Sequence, residues 1–257
     1  MNVHEIEGLD GTILAGFEVK YFDVCRSTND IAMASAVNEV PDTVFIAGLQ
    51  TAGKGRLGRK WENKKGESLE FSILKATDIK PEKFAQLTPL AGLCVRNAIE
   101  KVCGVKCDIK WPNDILIDGK KICGILTEAK SDLKHVVVGI GINVASRSWD
   151  EELAAKAASI EDYTSEAVPA DALLKEILER FNEKYEQFLA AGSFMPLKAE
   201  YESNLINTGK AVTVYSAGET FSGTAIGIDD ELRLLVRRDN GNIEAVMQGD
   251  VSLTSKF

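Results

Sequence analysis

Residues 50–61 constrain this chain most, because they place three glycines, four cations and a tryptophan within twelve residues, directly after the predicted strand 43–49. Glycine lets a backbone approach a ligand closely and adopt positive φ, and neighbouring cations supply charge for a carboxylate or a phosphate. Residues 50–66 hold six cations and one acid, Glu62, in a chain whose net charge is −9. We therefore interpret this glycine-rich loop (50–61) as a binding element for an anionic ligand rather than as a linker or a solvated basic hairpin.

The loop reads G-x-G-x-x-G from Gly53 to Gly58, but its context argues against the enzymes that usually contain this pattern. A dinucleotide-binding fold needs an amphipathic helix after the last glycine and an acidic strand end at the usual interval, and neither follows. A protein kinase needs His-Arg-Asp and Asp-Phe-Gly downstream, and a P-loop needs Lys-Ser/Thr where Arg59 stands. The chain has no G-x-S-x-G elbow and only two histidines, which also argues against a Ser-His or Cys-His hydrolase.

Composition sets the broad class. The 257 residues are 45% hydrophobic and 27% charged, which is typical of a soluble globular protein with a sizeable core. The acidic balance argues against a general binder of nucleic acid or of anionic membranes. Five scattered cysteines predict reduced thiols, and the two histidines lie too far from them in sequence to suggest a zinc site. Without a signal peptide or an apolar run of membrane-spanning length, the sequence predicts a cytoplasmic protein.

Hydrophobic periodicity predicts strands interspersed with helices. Ser27 stands at a helix N-cap with Asp30 three residues later, which fits a capping box, although a helix N-terminus after a strand also offers amides and hydroxyls to a ligand. Region 146–168 shows no clear pattern. The predicted strands are 17–24, 43–49, 68–74, 107–111, 115–117, 122–128 and 136–144, and the predicted helices are 31–37, 81–102 and 169–189.

From about residue 208 the sequence changes to short alternating runs separated by turn residues. Several short strands in so few residues suggest a small β-barrel appended to the main domain. The runs are 211–215, 220–228, 232–236 and 243–247.

Polar side chains stand at the ends of the predicted strands. Together they suit binding of a carboxylate and a nucleotide, where catalysis depends mainly on positioning and electrostatics. Structural explanations remain open: Trp111-Pro112 as a core contact, Lys121 as a surface lysine of the hairpin, and the glycines of strand 136–144 as bulges. The polar set is Gln50, Arg56, Lys110, Asn113, Asp114, Lys121 and Asn143.

Several motifs follow one another in a specific order: Ser27-Thr28-Asn29, Gln50-x-Ala52-Gly53-x-Gly55-Arg56-x-Gly58-Arg59-x-Trp61, Lys110-Trp111-Pro112-Asn113-Asp114, Lys121-x-x-Gly124-Ile125-Leu126-x-Glu128, Gly139-x-Gly141-Ile142-Asn143 and Gly249-Asp250-Val251-Ser252-Leu253. This series resembles the biotin–protein ligase family. The resemblance implies an α+β fold. A mixed β-sheet catalytic domain flanked by helices, similar to class II synthetases, would span 1–206, and a small C-terminal SH3-like β-barrel would span 207–257.

The resemblance also implies a two-step reaction. Biotin and Mg·ATP would give biotinyl-5′-adenylate and pyrophosphate, and a lysine of a biotin carboxyl carrier protein or domain would then attack the mixed anhydride. The implied cofactors are ATP and Mg²⁺, with biotin as substrate and no nucleic acid or membrane as partner. The chain starts at the catalytic domain, so the N-terminal DNA-binding module of some members is expected to be missing. A homodimer through exposed sheet edges is the candidate assembly.

Residue roles follow from the same resemblance. Arg56 and Lys121 would hold the biotin carboxylate and the α-phosphate, and Trp61 would cover the adenine once the loop orders. Asp114 would accept the proton of the attacking lysine, and either Asn113 or Asp114 would contact Mg²⁺. Biotin would be bound by Ser27, Thr28, Asn29, Gln50, Gly53, Lys54, Gly55, Arg56 and Lys121. The nucleotide would be bound by Arg56, Arg59, Trp61, Asn113, Lys121 and Asn143.

Two positions depart from the family pattern. Lys54 stands where the family usually has an arginine, and a lysine lacks the bidentate fork, so retention of the adenylate is expected to be weaker. Leu57 stands where some members have a further arginine. The alternatives are a lipoate–protein ligase and a catalytically silent vitamin- or nucleotide-binding protein. The Lys110–Asp114 motif and the glycine-rich loop favour biotin over lipoate.

Overall fold

A computed structural model describes residues 6–37, 41–131, 133–146, 149, 151–216 and 219–253. The strands are β1 (Ile13–Leu14), β2 (Phe17–Phe22), β3 (Thr43–Ala47), β4 (Ser68–Ala76), β5 (Asp108–Lys110), β6 (Asp114–Ile117), β7 (Lys120–Ala129), β8 (His135–Asn143), β9 (Ala211–Ser216), β10 (Glu219–Ile228), β11 (Leu234–Arg237), β12 (Ile243–Val246) and β13 (Asp250–Leu253). The helices are α1 (Thr28–Ser35), α2 (Leu87–Cys103), α3 (Glu151–Ala154), α4 (Ala170–Ala191) and α5 (Met195–Ser203), with 3₁₀ turns at Arg56–Gly58, Pro81–Gln86 and Ile160–Asp162.

The first eight strands form one mixed sheet in the order β1-β2-β3-β4-β8-β7-β6-β5. β2 and β3 are parallel and are connected through α1, and the other neighbouring pairs are antiparallel. β4 and β8 form the centre of the sheet, where Ser68 is opposite Asn143 and Ser72 is opposite Gly139. This mixed α+β architecture confirms the predicted fold class.

The two faces of the central strands differ in chemistry. On one face, alternate residues of β4 such as Phe71 pack into the main core, to which α2 and α4 contribute their apolar sides. On the other face, α1 covers only a small apolar cluster that includes Phe45 and Val137. Because side chains alternate along a strand, Glu70 and Ser72 of β4 lie on this second face. Small and polar residues there leave room for a ligand beside α1.

The long helices confirm the predicted periodicity. α2 and α4 end at Gly104 and Gly192, whose φ values of 67° and 62° lie in the left-handed region that favours glycine. The segment Pro81–Gln86 is a 3₁₀ turn and not the first part of α2. The predicted capping box at the start of α1 is wrong, because Ser27 occupies the N-cap without a side-chain hydrogen bond. Among the helices of the described residues, none is long and apolar enough to cross a membrane.

The last five strands form an antiparallel sheet in the order β12-β11-β10-β9-β13. Four of them match the predicted runs, and β13 is an additional strand that pairs with β9. The indole of Trp111 is buried and donates its Nε1 hydrogen to the carbonyl of Leu232 at 2.9 Å. The amide of Trp111 donates to Asn207 Oδ1 at 2.8 Å. Trp111 therefore joins the two sheets, as the core-contact explanation of this residue predicts.

Candidate active site

A cavity lies on the second face of the sheet, beside α1. Its floor is made of glycines, and two of them are required by close contacts. A Cβ atom on Gly139 would lie 2.1 Å from Asn29 Oδ1, and one on Gly141 would lie 2.6 Å from Trp61 Cε2. These glycines therefore serve close approach, and the bulge explanation is not needed. This first chamber is lined by residues that include Ser27, Thr28, Asn29, Gln50, Lys54, Trp61, Gly124, Gly139 and Gly141.

Replacing Gly141 with alanine tests this packing. The new methyl group would overlap the indole of Trp61, so the indole must move into the first chamber or out of the site. We expect the affinity for a ligand of this chamber to fall about tenfold or more, as measured by calorimetry with biotin, the ligand that the family resemblance implies. Gly92→Ala is the matched control, because a Cβ there would make only an ordinary contact, 3.7 Å from Ile125 Cδ1. Equal affinities for the two variants would contradict the packing argument.

Gln50 and Thr28 form one end of the first chamber. Gln50 Oε1 accepts hydrogen bonds from the amide of Thr28 at 2.7 Å and from its hydroxyl at 3.2 Å. Gln50 Nε2 donates to Glu70 Oε2 at 2.9 Å. Since the amide nitrogen of Thr28 can only donate and a carboxylate can only accept, the orientation of the Gln50 side chain is fixed from both ends.

The network continues through the first turn of α1 to the neighbouring strands. Ser72 Oγ lies 2.7 Å from Thr28 Oγ1 and donates to Asn29 Oδ1 at 2.6 Å. Asn29 Nδ2 donates to Glu128 Oε2 at 2.7 Å. Buried hydroxyls and amides are thus held in one arrangement before any ligand arrives. A neutral ligand group with several donors and acceptors suits such an end.

Ser27 lines the first chamber with its hydroxyl free of a capping role. Asp30, the expected partner in the capping box, instead pairs with Lys54 across the rim of the chamber. This hydrogen bond raises the pKa of Lys54 above its usual value. Lys54 therefore lines the chamber as a cation that is paired with Asp30. The lysine side chain reaches this carboxylate, so the ion pair does not require an arginine at position 54.

Arg56 lies at the other end of the first chamber and is the central cation of the site. Its Nη1 donates to Asn113 Oδ1 at 2.9 Å, and its Nη2 donates to the carbonyl of Gly249 at 3.2 Å. Burial lowers the pKa of the Arg56 guanidinium, an effect that the nearby Asp114 opposes. A partly desolvated guanidinium interacts more strongly with an incoming anion than an exposed one does.

Lys121 and Lys110 complete the cationic end. Lys121 Nζ lies 2.7 Å from Asp114 Oδ1, and Lys110 Nζ lies 3.9 Å from Asp114 Oδ2. Burial lowers the pKa of Lys110, although Asp114 opposes this shift. Three cations thus surround one carboxylate, so this end of the site has an excess of positive charge.

A second cavity opens at this cationic end. It shares Gly55, Arg56, Trp61, Asn113 and Lys121 with the first chamber, so the two cavities meet at these residues. We call it the second chamber; its further lining includes Arg59, Lys60, Lys110, Asp114 and Asp250. Arg59 forms an ion pair with Asp250, which ties the glycine-rich loop to the C-terminal sheet. The second chamber therefore suits a polyanion such as a nucleotide phosphate.

Trp61 lies between the chambers and packs on the glycine floor. Its Nε1 donates to Glu70 Oε1 at 3.0 Å, and Lys121 Nζ lies 5.7 Å from the centre of its ring. Gly53 is buried within the loop, where a Cβ would lie 2.6 Å from the carbonyl of Trp61. The indole is thus fixed as a wall of both chambers. Cover for an adenine ring remains a prediction.

Gly53 and Asn143 are the two predicted site residues that, among the described residues, lie outside the lining of both chambers. Asn143 is the last residue of β8 and is buried. Its Nδ2 donates to the carbonyl of Ala158 at 3.1 Å. The buried Oδ1 has no hydrogen-bond partner within the part of the chain that the structure describes. A buried acceptor without a partner is costly, and the contact of Asn143 with the nucleotide stays a prediction.

The residues that were predicted to contact Mg²⁺ do not build a metal site by themselves. Asn113 Oδ1 accepts a hydrogen bond from Arg56, and Asp114 Oδ1 faces the ammonium of Lys121. Within the described ranges, no group of three His, Cys, Asp or Glu side chains is placed to hold a metal ion. Mg²⁺ fits here only as an ion held mainly by nucleotide phosphates.

All five cysteines are free thiols, and Cys25 lies near the site beside Gln50. Burial, together with the charges of Glu70 and Asp30, raises the pKa of Cys25 to about 11. The thiol is therefore protonated at neutral pH, and a thiolate nucleophile is not part of this site.

The structure brings most of the predicted residues together around the two chambers. It also adds Glu70, Ser72 and Glu128, which anchor the hydrogen-bond network and were not predicted as site residues. A signal for two of them exists in the sequence. Ser68, Glu70 and Ser72 alternate with apolar residues in 68–74, so one face of that strand is polar.

Comparison with known proteins agrees with this geometry. A model of the Biotin/lipoate A/B protein ligase family matches residues 21–143, and a model of the Biotin protein ligase C terminal domain matches residues 208–254. The chain is 38% identical over 248 residues to the Bifunctional ligase/repressor BirA of Bacillus spizizenii. The aligned segment covers 94% of this chain and 76% of that protein. It is 30% identical to the Biotin--[acetyl-CoA-carboxylase] ligase of Mycobacterium tuberculosis, covering 94% of this chain and 92% of that protein.

A solved structure gives the same result. The biotin protein ligase of Aquifex aeolicus in complex with biotin and ATP matches with a TM-score of 0.82 and 28% identity, over 93% of this chain and 99% of that one. These matches confirm the family that the ordered motifs predicted. The chain belongs to the biotin/lipoate A/B protein ligase family, and within it to the biotin–protein ligases.

Proposed function

We propose that this protein activates biotin with ATP and transfers it to a lysine of a biotin carboxyl carrier domain. In the first step, a carboxylate oxygen of biotin attacks the α-phosphorus of ATP, and the bond to pyrophosphate breaks. In the second step, the neutral lysine amine attacks the acyl carbon of biotinyl-5′-AMP. The bond to AMP breaks, and the amine loses a proton as the amide forms.

One observation supports this function above others: two chambers of different chemistry meet at Arg56, Asn113 and Lys121. The first chamber combines neutral hydrogen-bonding groups with a glycine floor, which suits the ureido group and the alkyl chain of biotin. The second chamber is lined by cations, which suits the phosphates of ATP. The biotin carboxylate and the α-phosphate then meet at the junction.

The first step requires one anion to attack another. Arg56 and Lys121 reduce the repulsion between the two anions, because their positive charges stabilise both reactants and the transition state between them. Asn113 orients Arg56 through the 2.9 Å hydrogen bond to its Nη1. Mg²⁺, bound through the phosphates, supplies further charge neutralisation when it is present.

The second step requires a lysine without its proton. Asp114 lines the second chamber and pairs with Lys121 of the junction, and its side chain is only 18% exposed. We assign Asp114 to orient the incoming lysine and to accept its proton. Lys110 and Lys121 form ion pairs with Asp114 and hold its carboxylate in position before the carrier arrives.

The direct test is incubation with Mg·ATP, labelled biotin and a biotin carboxyl carrier domain. We expect label on one lysine of the carrier and biotinyl-5′-AMP on the enzyme when the carrier is omitted. A parallel reaction with lipoate tests the lipoate ligase alternative, which requires label only from lipoate. Biotin binding without adenylate would identify a catalytically silent binding protein and refute the proposal.

Limited proteolysis tests the glycine-rich loop as a lid. Arg59 and Lys54 have side chains that are 62% and 42% exposed, so trypsin can reach them when the loop opens. We expect cleavage within 53–65 without ligand and strong protection with biotin and ATP, as for other loops that close over substrates. Cleavage after Lys130, which directly follows β7 and lies outside the glycine-rich loop, provides the internal control, detected by mass spectrometry. The same cleavage rate with and without ligand would exclude a lid.

Three further expectations stay predictions: the division of the chain at 206/207 with an SH3-like second domain, a homodimer through sheet edges, and a cytoplasmic location. Size-exclusion chromatography with light scattering tests the homodimer directly.

A further inference from the structure

Glu70 is a buried carboxylate behind the first chamber, with 1% of its surface exposed. Three neutral N–H donors converge on it from three places. Trp61 Nε1 donates to Oε1 at 3.0 Å, Gln50 Nε2 donates to Oε2 at 2.9 Å, and Asn63 Nδ2 also donates to Oε2. Two of these donors, Gln50 and Trp61, line the first chamber, and Asn63 lies two residues beyond the end of the glycine-rich loop.

A carboxylate is the side chain that satisfies this arrangement. It has two oxygens with about four acceptor positions and no hydrogen to donate, so it can accept from three donors together. A glutamine at this place would turn its own NH₂ group toward at least one N–H donor. At least one of the three N–H donors would then lose its acceptor. The side-chain amide of Gln50 would no longer be held in place and would be free to rotate away from Thr28.

The consequence reaches the ligand through Gln50. Its Oε1 holds both the amide and the hydroxyl of Thr28, and Thr28 lines the first chamber. Glu70 itself is not part of that lining and lies behind Gln50 and Trp61. Any effect of Glu70 on a ligand therefore passes through these side chains.

We infer that Glu70 is a positioning residue that sets the specificity of the biotin end of the site. It fixes the donor and acceptor pattern of Gln50 and Thr28 for the ureido group. At the same time it fastens Trp61 and Asn63, so the closed form of the glycine-rich loop and the ordered biotin end stabilise each other. This inference rests on the proposed function.

The test is Glu70→Gln, examined alone and in a Gln50→Ala background. We expect the KM for biotin to rise about tenfold, the KM for ATP to change less than about twofold, and kcat to fall less than the KM rises. In the Gln50→Ala background, Glu70→Gln should raise the biotin KM by a smaller factor than it does alone, because one of the two chamber-lining side chains that transmit its effect is already absent. Glu62→Gln, an exposed acid in the same segment, is the matched control and should leave both KM values unchanged.

Glu70→Asp covers the case in which Glu70→Gln does not fold. The shorter side chain keeps the charge but cannot reach Gln50 and Trp61 together, so the biotin KM should rise here as well. An unchanged biotin KM in a folded variant would overturn the inference, and so would equal effects with Gln50 present and absent. Failure of the unmodified protein to form biotinyl-5′-AMP would instead overturn the proposed function.

Discussion

Replacing Arg56 with alanine is expected to lower the rate of biotinyl-5′-AMP formation by about 10²–10³, the range found when one preorganised donor to transition-state charge is removed. Arg56 stands at the junction of the chambers, where the carboxylate and the α-phosphate must approach each other. Its loss leaves Lys121 as the remaining cation in contact with both chambers. The measurement is pyrophosphate release under single-turnover conditions with saturating biotin and ATP.

Two variants separate charge from geometry. Arg56→Lys keeps a cation but loses the fork that contacts both Asn113 and Gly249, so its rate should lie between those of the alanine variant and the unmodified protein. Lys64→Ala removes an exposed cation next to the loop and should leave the rate unchanged. Circular dichroism and thermal melting check the fold. A normal rate in folded Arg56→Ala, or a loss of rate that follows a loss of fold, would contradict the role of Arg56.

An element of the fold could be predicted where a pattern among residues close in sequence identified it. Helices α2 and α4 follow from apolar spacing and terminal glycines. Both ends of α4 and the C-terminal end of α2 agree with the prediction, whereas α2 begins at Leu87 and not at the predicted Pro81. Helix α5 was missed because its short sequence, Met195–Ser203, has little amphipathic pattern. In region 146–168 the structure has only a short helix and a 3₁₀ turn among the described residues, too brief for periodicity to show.

The site was predictable as a set of residue types but not as a set of contacts. Ordered motifs identified the polar groups, since each motif is a local string. The capping box failed because a distant residue, Lys54, competes for Asp30. Glu70 was overlooked because its partners, Gln50 and Trp61, come from a neighbouring loop whose path over the sheet is not visible in sequence. Both the missing capping box and the position of Glu70 depend on contacts between residues that are distant in sequence.

Replacing Asp114 with asparagine is expected to separate the two half-reactions. Adenylate formation should fall less than about tenfold, because Arg56 and Lys121 remain as cations at the junction. Transfer to the carrier should fall about 10²-fold or more, since the group assigned to accept the lysine proton is lost. The variant is loaded with biotinyl-5′-AMP, the carrier domain is added, and biotinylated carrier is followed by mass spectrometry.

The pH dependence of transfer to the carrier tests whether Asp114 accepts the lysine proton. A free lysine has a pKa of about 10.4, so little of the carrier amine is deprotonated near neutral pH. Raising the pH toward that value supplies the neutral amine without a protein base, so transfer by Asp114→Asn should recover more than transfer by the unmodified enzyme. Asp118→Asn is the matched control, because Asp118 is exposed on the same hairpin and asparagine tolerates its positive φ of 48°. If both half-reactions slow equally and high pH rescues neither, Asp114 serves only to hold Lys121, and the lysine proton leaves by another route.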